Sequence, residues 1–434
     1  MLQVTGSRHA ILTLLAATSC TFTGCGLNFA FGVFQDAYET EGGPFLNASP
    51  AKIDLIGTLG VYLMTLGAPW ATSWTSRYGP AVVTATGSIL FGLGMALASF
   101  GTQLWHFHLT QGLLLGLGTC LSYIPAVTVT PGWYDKRRAL AMGIVLSGTG
   151  IGGLVWAPIT RTLISTLGFR NALRIEGGIG FILIAASATV LRWDPETLSL
   201  RNTATTNATN TTRFGIPMIS WRVVKSRVVV AKSAAATLQS MAYYMPIYFI
   251  SSYARRLRMT PQTGANLIAI NNGLSALGKV VLGWAADRYG RLNVLWACTT
   301  MSALSVFCIW APASTDAVSN ELTKRVLFVT YVILYGITSG TYVSLLPPVL
   351  FDLVGPQYFS SVNGALYFLR GIGTLVGTPS TGALIQGGRR SSVASPEGFL
   401  HAIIMTGVLL AASAACVAWV RVEKSRRDGW KWKA

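Results

Sequence analysis

Apolar residues fall in twelve long runs, parted by short clusters of charged residues, glycine and proline. The runs cover residues 9–36, 53–76, 80–100, 104–132, 139–166, 172–192, 227–251, 263–286, 292–311, 323–351, 357–386 and 398–420. A helix needs roughly 20 apolar residues to cross a bilayer, and longer runs fit tilted helices. The pattern therefore predicts twelve transmembrane helices. Glycine and proline inside the runs are tolerated there, because neighbouring helices satisfy the loosened backbone.

The longest polar stretch, residues 193–226, is rich in Thr and Asn and reads as a flexible cytoplasmic linker. It divides the runs into six and six. The halves also share a written repeat. GIGGLVWAPITRTLI (150–164) and GIGTLVGTPSTGALI (371–385) agree at nine positions at a constant offset of 221, including Gly152/Gly373 and Pro158/Pro379. Both fall on the fifth helix of their half. SRYGP (76–80) and DRYGR (287–291) likewise follow the second helix of each half. The predicted fold is all-α integral membrane, with twelve transmembrane helices in two pseudo-symmetric six-helix bundles. Its parts are an N-terminal bundle (1–192), the linker (193–226), a C-terminal bundle (227–421) and a basic cytoplasmic tail (422–434). Paired halves of this kind hold a substrate near the midplane between them. Gly152 and Gly373 let helices approach closely, Pro158 and Pro379 loosen them, and all four are read as gating positions.

Composition agrees. Of 434 residues, 51% are hydrophobic and 11% charged, with a mean hydropathy of +0.50. A soluble surface carries about 25% charged residues. The net charge of +18 would suggest nucleic acid until the cations are placed. With the N-terminus inside, nineteen Lys and Arg fall in cytoplasmic loops and the tail and nine in outer loops. That bias puts both termini in the cytoplasm and excludes nucleic acid as the partner; the Arg255–Arg258 cluster runs against it. The six cysteines lie within apolar runs without metal-ligand spacing. No nucleotide-binding loop, no HExxH and no GxSxG is present, so no cofactor or enzymatic role is expected and energy comes from gradients. Asn47 opens a glycosylation sequon in the first outer loop. Asn207 and Asn210 open sequons that this topology leaves bare.

GWAADRYGR (283–291) resembles the signature loop of the major facilitator superfamily. The resemblance implies that Asp287, Arg288 and Arg291 form a cytoplasmic latch that opens as the halves rock. WYDKRRALAMGIVLSGTGIGG (133–153) resembles the entry to the fifth helix in the monocarboxylate-porter family, and FAFGVFQDAYE (29–39) looks like its fungal branch. That family moves small organic anions, often with a proton, by alternating access. Members that carry lactate-like acids have a lysine in helix one and an Asp/Arg pair in helix eight. Here no Lys or Arg lies between Arg8 and Lys52. Lys279 stands where the arginine would be, and Ser275 where the aspartate would be.

Charges inside a bilayer mark functional sites by default. Five cations fall in apolar runs: Arg161, Arg174, Lys232, Lys279 and Arg370. Lys279 and Arg370 are the candidate anion-binding or gating cations. Arg174 and Lys232 lie near helix ends and are expected to snorkel outward. Glu176 is expected to pair with Arg174 or Arg170, and Asp36, Glu176 and Asp352 are the carboxylates available for a coupled proton. Asn28, Tyr123, Tyr243, Tyr244, Asn271, Asn272 and Tyr342 add polar and aromatic groups suited to a largely apolar ligand with a few oxygens. The sequence thus reads as a monomeric, multi-pass secondary transporter of the plasma membrane. Its cargo is an organic anion or amphipathic metabolite, with a proton as optional partner and the bilayer as its solvent. Three alternatives stay open: an exporter of a specialised metabolite, a non-transporting sensor on the same scaffold, and an intramembrane enzyme.

Overall fold

The computed structural model describes residues 7–39, 44–45, 48, 50–199, 226–315, 318–387 and 397–428. The sequons at Asn47, Asn207 and Asn210, nearly all of the linker and the end of the basic tail lie outside these residues.

Among the described residues the chain forms twelve long helical segments. They are α1 (Arg8–Glu39), α2 (Lys52–Leu66 and Ala68–Tyr78, bent by 51°), α3 (Pro80–Ala98), α4 (Leu104–Trp133), α5 (Arg138–Leu167) and α6 (Phe169–Val190). After the linker come α7 (Arg227–Arg256), α8 (Pro261–Tyr289), α9 (Arg291–Ala313), α10 (Glu321–Val354), α11 (Pro356–Gly387) and α12 (Glu397–Asp428). Nine of them are long and apolar enough to cross a membrane, ten when the bent pair of α2 counts as one span. The outer surface bears Leu15, Trp105, Ile182, Leu277 and Trp419, all more than half exposed. Such a surface is costly in water and natural in lipid.

The helices cluster into two compact units. One comprises residues 1–219 with 350–368, the other residues 220–349 with 369–434. Within the first unit, α3 packs on α6 and α4, and α1 packs on α5; within the second, α12 packs on α7 and α9.

The repeated segments take equivalent places, each inside its own unit. A side chain at Gly152 of α5 would strike the Phe22 carbonyl and lie 2.8 Å from the Gly26 backbone of α1. A side chain at Gly377 of α11 would strike the Met241 backbone of α7, and at Gly373 it would lie 2.6 Å from the Thr237 carbonyl. Each copy therefore lays its glycines against the first helix of its half, because only a bare Cα lets two backbones approach so closely. Opposite the first copy, α1 contains a π-turn at Thr21–Cys25, and the Thr21 hydroxyl donates to the Val145 carbonyl. Both helices run unbroken through Pro158 and Pro379. The turns after α2 and α8 match as well: Gly79 and Gly290 have φ of 86° and 102°, a conformation that favours glycine.

Each unit has its own aromatic core. In the first, Tyr38 meets Phe45, Phe107 and Phe169 edge-on, and its hydroxyl donates to Gln111 Oε1 at 2.9 Å. In the second, Trp310 stacks on Tyr331 with centroids 4.5 Å apart, and Tyr253 meets Trp310 edge-on.

Candidate functional site

The second unit gathers most of the candidate residues. Asn271, Ser275 and Lys279 are spaced four apart on α8, so they share one face, and all three are buried. The room for them comes from α10, where small residues recur at the same spacing. A side chain at Gly336 would lie 3.0 Å from Asn271 Oδ1, and one at Gly340 would strike the Ser275 hydroxyl and lie 3.2 Å from Lys279 Cε. The lysine stem thus runs along the α10 backbone. Asn272, one residue round from that face, is half-buried.

Arg370 is buried on α11, and its Nε donates to Ser240 Oγ of α7 at 3.1 Å. The close α7–α11 approach at Gly373 and Gly377, one and two turns further along, delivers it there. Tyr243, one turn along α7 from Gln239, joins the two neighbourhoods. It is hydrogen-bonded to Ser275 and lies within reach of the Arg370 charge. Tyr244 meets Tyr243 edge-on at 4.9 Å. Tyr335 donates to the Tyr243 carbonyl at 3.2 Å, which fixes this stretch of α7 against α10.

Lys232 does not behave as its position suggested. Its side chain is fully buried, with Nζ 5.2 Å from the centroid of the Tyr342 ring on α10. It turns inward because its face of α7 is the packed one: Ala235, Ala236, Gln239 and Ser240 are buried beside it. Snorkelling is thereby excluded. Arg174 does sit near a helix end, where it donates to Ser99 Oγ at 3.0 Å and lies over the Phe100 ring. Arg161 is exposed.

Among the described residues, the buried charged residues along the helices of the second unit are Lys232, Lys279 and Arg370, all cations; the Asp287 side chain, 8% exposed, is buried against Arg291 at the signature loop. The first unit differs. Its buried charged side chains are Arg138, Glu176 and Asp194. Asp194 accepts the Thr197 backbone N–H at 2.8 Å. Arg138 donates to Asp352 Oδ1 at 2.6 Å and through Nε to the Pro131 carbonyl at 2.8 Å. Its guanidinium lies 4.0 Å from the Phe351 ring centroid. Asp352 is thus taken up in an ion pair; the basic run before α5 was the signal that could have pointed to it. Glu176 accepts from Thr160 at 2.6 Å, and its Oε2 has no hydrogen-bond partner. The expected pairing with an arginine fails, since Arg170 and Arg174 are directed at the Gly101 carbonyl and at Ser99.

The remaining candidates are local. Asn28 donates to the Gly24 carbonyl at 2.8 Å and to Thr119 at 3.0 Å, which ties α1 to α4. Tyr123 and Tyr367 have hydroxyls 3.2 Å apart. At the signature loop, Arg291 holds Asp287 at 2.9 Å. The Arg288 guanidinium lies 5.7 Å from the Trp284 ring centroid and 5.8 Å from that of Tyr289.

The Major Facilitator Superfamily model matches residues 11–378 and, in a second alignment, residues 233–433. Similar proteins include the agnestins efflux protein AgnL12 of Paecilomyces divaricatus, 26% identical over 417 residues, covering 96% of this chain and 88% of that one. Monocarboxylate transporter 13 of Rattus norvegicus is 29% identical over 395 residues, covering 89% of this chain and 84% of that one. Among solved structures, the proton:xylose symporter XylE aligns with a TM-score of 0.68 at 13% identity, over 94% of this chain and 95% of that one. A double-tryptophan mutant of XylE reaches 0.73 at 12% identity, with the same coverage. At such identity the likeness to XylE shows the fold.

Proposed function

From the premise that this chain belongs to the Major Facilitator Superfamily, and so is a multi-pass membrane transporter, we propose that it moves an organic anion or acidic amphipathic metabolite outward by alternating access. The observation that carries the substrate class is the set of buried cations along the helices of the second unit, with Lys279 and Arg370 among tyrosines and small polar groups. A charge in the hydrocarbon core costs at least about 2.5–3.5 kcal/mol on insertion scales. Buried cations of one sign lower that cost by taking an anion. Tyr243, Tyr244, Tyr342 and the Asn271–Asn272 pair supply ring faces and hydrogen-bond donors for the rest of the ligand. The efflux names among its relatives favour export. Asp287 and Arg291 serve as the inner latch, and the glycines of the repeat as sliding contacts. The chain works as a monomer in the plasma membrane with both termini inside. Glycosylation at Asn207 or Asn210 would overturn that orientation.

The test is metabolite profiling of cells with and without the gene, inside and outside the cell. An acid that accumulates inside on deletion and is restored outside on complementation supports the proposal; no difference in any acid refutes it.

A proton partner has a specific carrier in this reading. Asp36 is exposed and Asp352 is bound by Arg138. That leaves Glu176, fully buried, with one oxygen held by Thr160 and the other unpartnered. Coupling requires a carboxylate that binds a proton on one side of the membrane and releases it on the other, and Glu176 has an oxygen free to do so among the described residues.

A further inference from the structure

Lys232 poses a chemical problem that packing does not solve. Its ammonium has three N–H donors, is fully buried, and has no hydrogen-bond partner. Among the described residues, its compensation is the face of the Tyr342 ring. Two turns along α7 on the same face, Gln239 is also buried, and among the described residues neither its Oε1 nor its Nε2 has a partner. Arg370 reaches α7 at the next residue, Ser240. A methionine at 232 would fill the same space without a stranded charge. An oxygen anion on this face would accept N–H groups from Lys232 and Gln239 and offset the positive charges of Lys232 and Arg370.

We propose that Lys232, Gln239 and Arg370 form a subsite on α7 and α11 for the carboxylate or enolate of the transported molecule, with the Tyr342 ring as its floor. This rests on the organic-anion reading above and extends it. That reading draws the anion to the cations of the second unit, Lys279 and Arg370. The present one adds Lys232 and Gln239 of α7 beside Arg370, built around a lysine that its sequence position assigned to the membrane surface. The ring beneath Lys232 favours an acid that carries an aromatic ring over a small hydrophilic one, since a planar π-system can stack beside the anion.

The experiment uses the full chain in neutral detergent and reads its thermal unfolding midpoint. The probes are phenylacetate and its neutral counterpart phenylacetamide. Phenylacetate is expected to raise the wild-type midpoint and phenylacetamide to leave it unchanged. Lys232→Met is expected to raise the ligand-free midpoint, because it removes the unpaired charge, and to lose the response to phenylacetate. Should Lys232→Met elute as aggregate, Lys232→Gln serves in its place, and its response to phenylacetate decides in the same way. The proposal is overturned if the variant keeps the full wild-type response, if the wild type responds equally to acid and amide, or if it responds to neither. The outcome is separate from that of metabolite profiling. A protein that exports no acid but loses its acid response in Lys232→Met refutes the transport direction and keeps the subsite. An exporter whose Lys232→Met variant responds normally does the reverse.

Discussion

The two units bury different sets of charge under the same helical plan. The first holds Arg138, matched by Asp352, and two carboxylates, Asp194 and Glu176, the latter with one idle oxygen among the described residues. The second holds the cations Lys232, Lys279 and Arg370, and its buried carboxylate, Asp287, is paired with Arg291 at the signature loop. Both lay repeated glycines against the first helix of their half, and both turn at a positive-φ glycine after the second. The scaffold is common to both halves, so the proposed function divides the work along this difference in charge, with the proton assigned to Glu176 of the first unit and the anion to the cations of the second.

The sharpest way to break that comparison is to truncate a cation in one unit and a neutral polar group in the other. Lys279→Ala or Arg370→Ala should remove a charge-assisted contact worth about 3 kcal/mol, hence roughly 100-fold in flux at low substrate, with surface expression intact. Asn28→Ala in the first unit removes one neutral hydrogen bond between helices, the one to Thr119, worth only about 0.5–1.5 kcal/mol, and should lower flux about tenfold at most. Equal losses would mean that the cations do not single out the substrate. Next in size is Glu176→Gln. The variant keeps the Thr160 contact but cannot release a proton. Flux driven by a pH gradient across proteoliposomes should fall about tenfold, the scale of general proton-transfer losses at the low end, while exchange of substrate for substrate survives. Unchanged gradient-driven flux would remove the proton role from the first unit.

How much of this could be read from the chain alone differs between scaffold and site. The twelve runs, the glycine repeat and the paired turns were legible, because long apolar stretches have few alternatives and Gly152 and Gly377 stand where a side chain would hit backbone. Lys279 and Arg370 stood out as cations far from any helix end. Lys232 did not. It lies five residues after Arg227, close enough to a helix end for a lysine stem to escape. Whether it escapes depends on which face of α7 is packed, and polar residues scattered along α7, from Ser233 to Ser240, leave that face unmarked in the sequence. Glu176 misled for a related reason. Arg170 and Arg174 are its neighbours in sequence, but in space Ser99 and the Gly101 carbonyl take them first. The Arg138–Asp352 pair links positions 214 residues apart; the basic run before α5 marks the cation, but nothing near Asp352 names it as the partner.

The smallest effects test whether the ion pairs of the two units do different work. Arg138 and Asp287 each hold a carboxylate or guanidinium at short range, yet their settings differ. Arg138 also donates to Pro131 and lies on Phe351. Arg291 meets Asp287 across a single turn of chain, where the partners stay near one another even when the contact is broken. Arg138→Ala should therefore destabilise the folded protein by about 2–3 kcal/mol, more than Asp352→Ala, because it also removes a bond to a buried carbonyl and a ring contact. Asp287→Asn should cost only about 1 kcal/mol, since the amide still accepts from Arg291. Unfolding in a denaturing detergent series measures both, and transport of the same variants separates stability from gating. If Asp287→Asn cuts flux while hardly moving stability, the pair in the second unit works as a latch. If it moves both in proportion, the pair is structural, like its counterpart at Arg138.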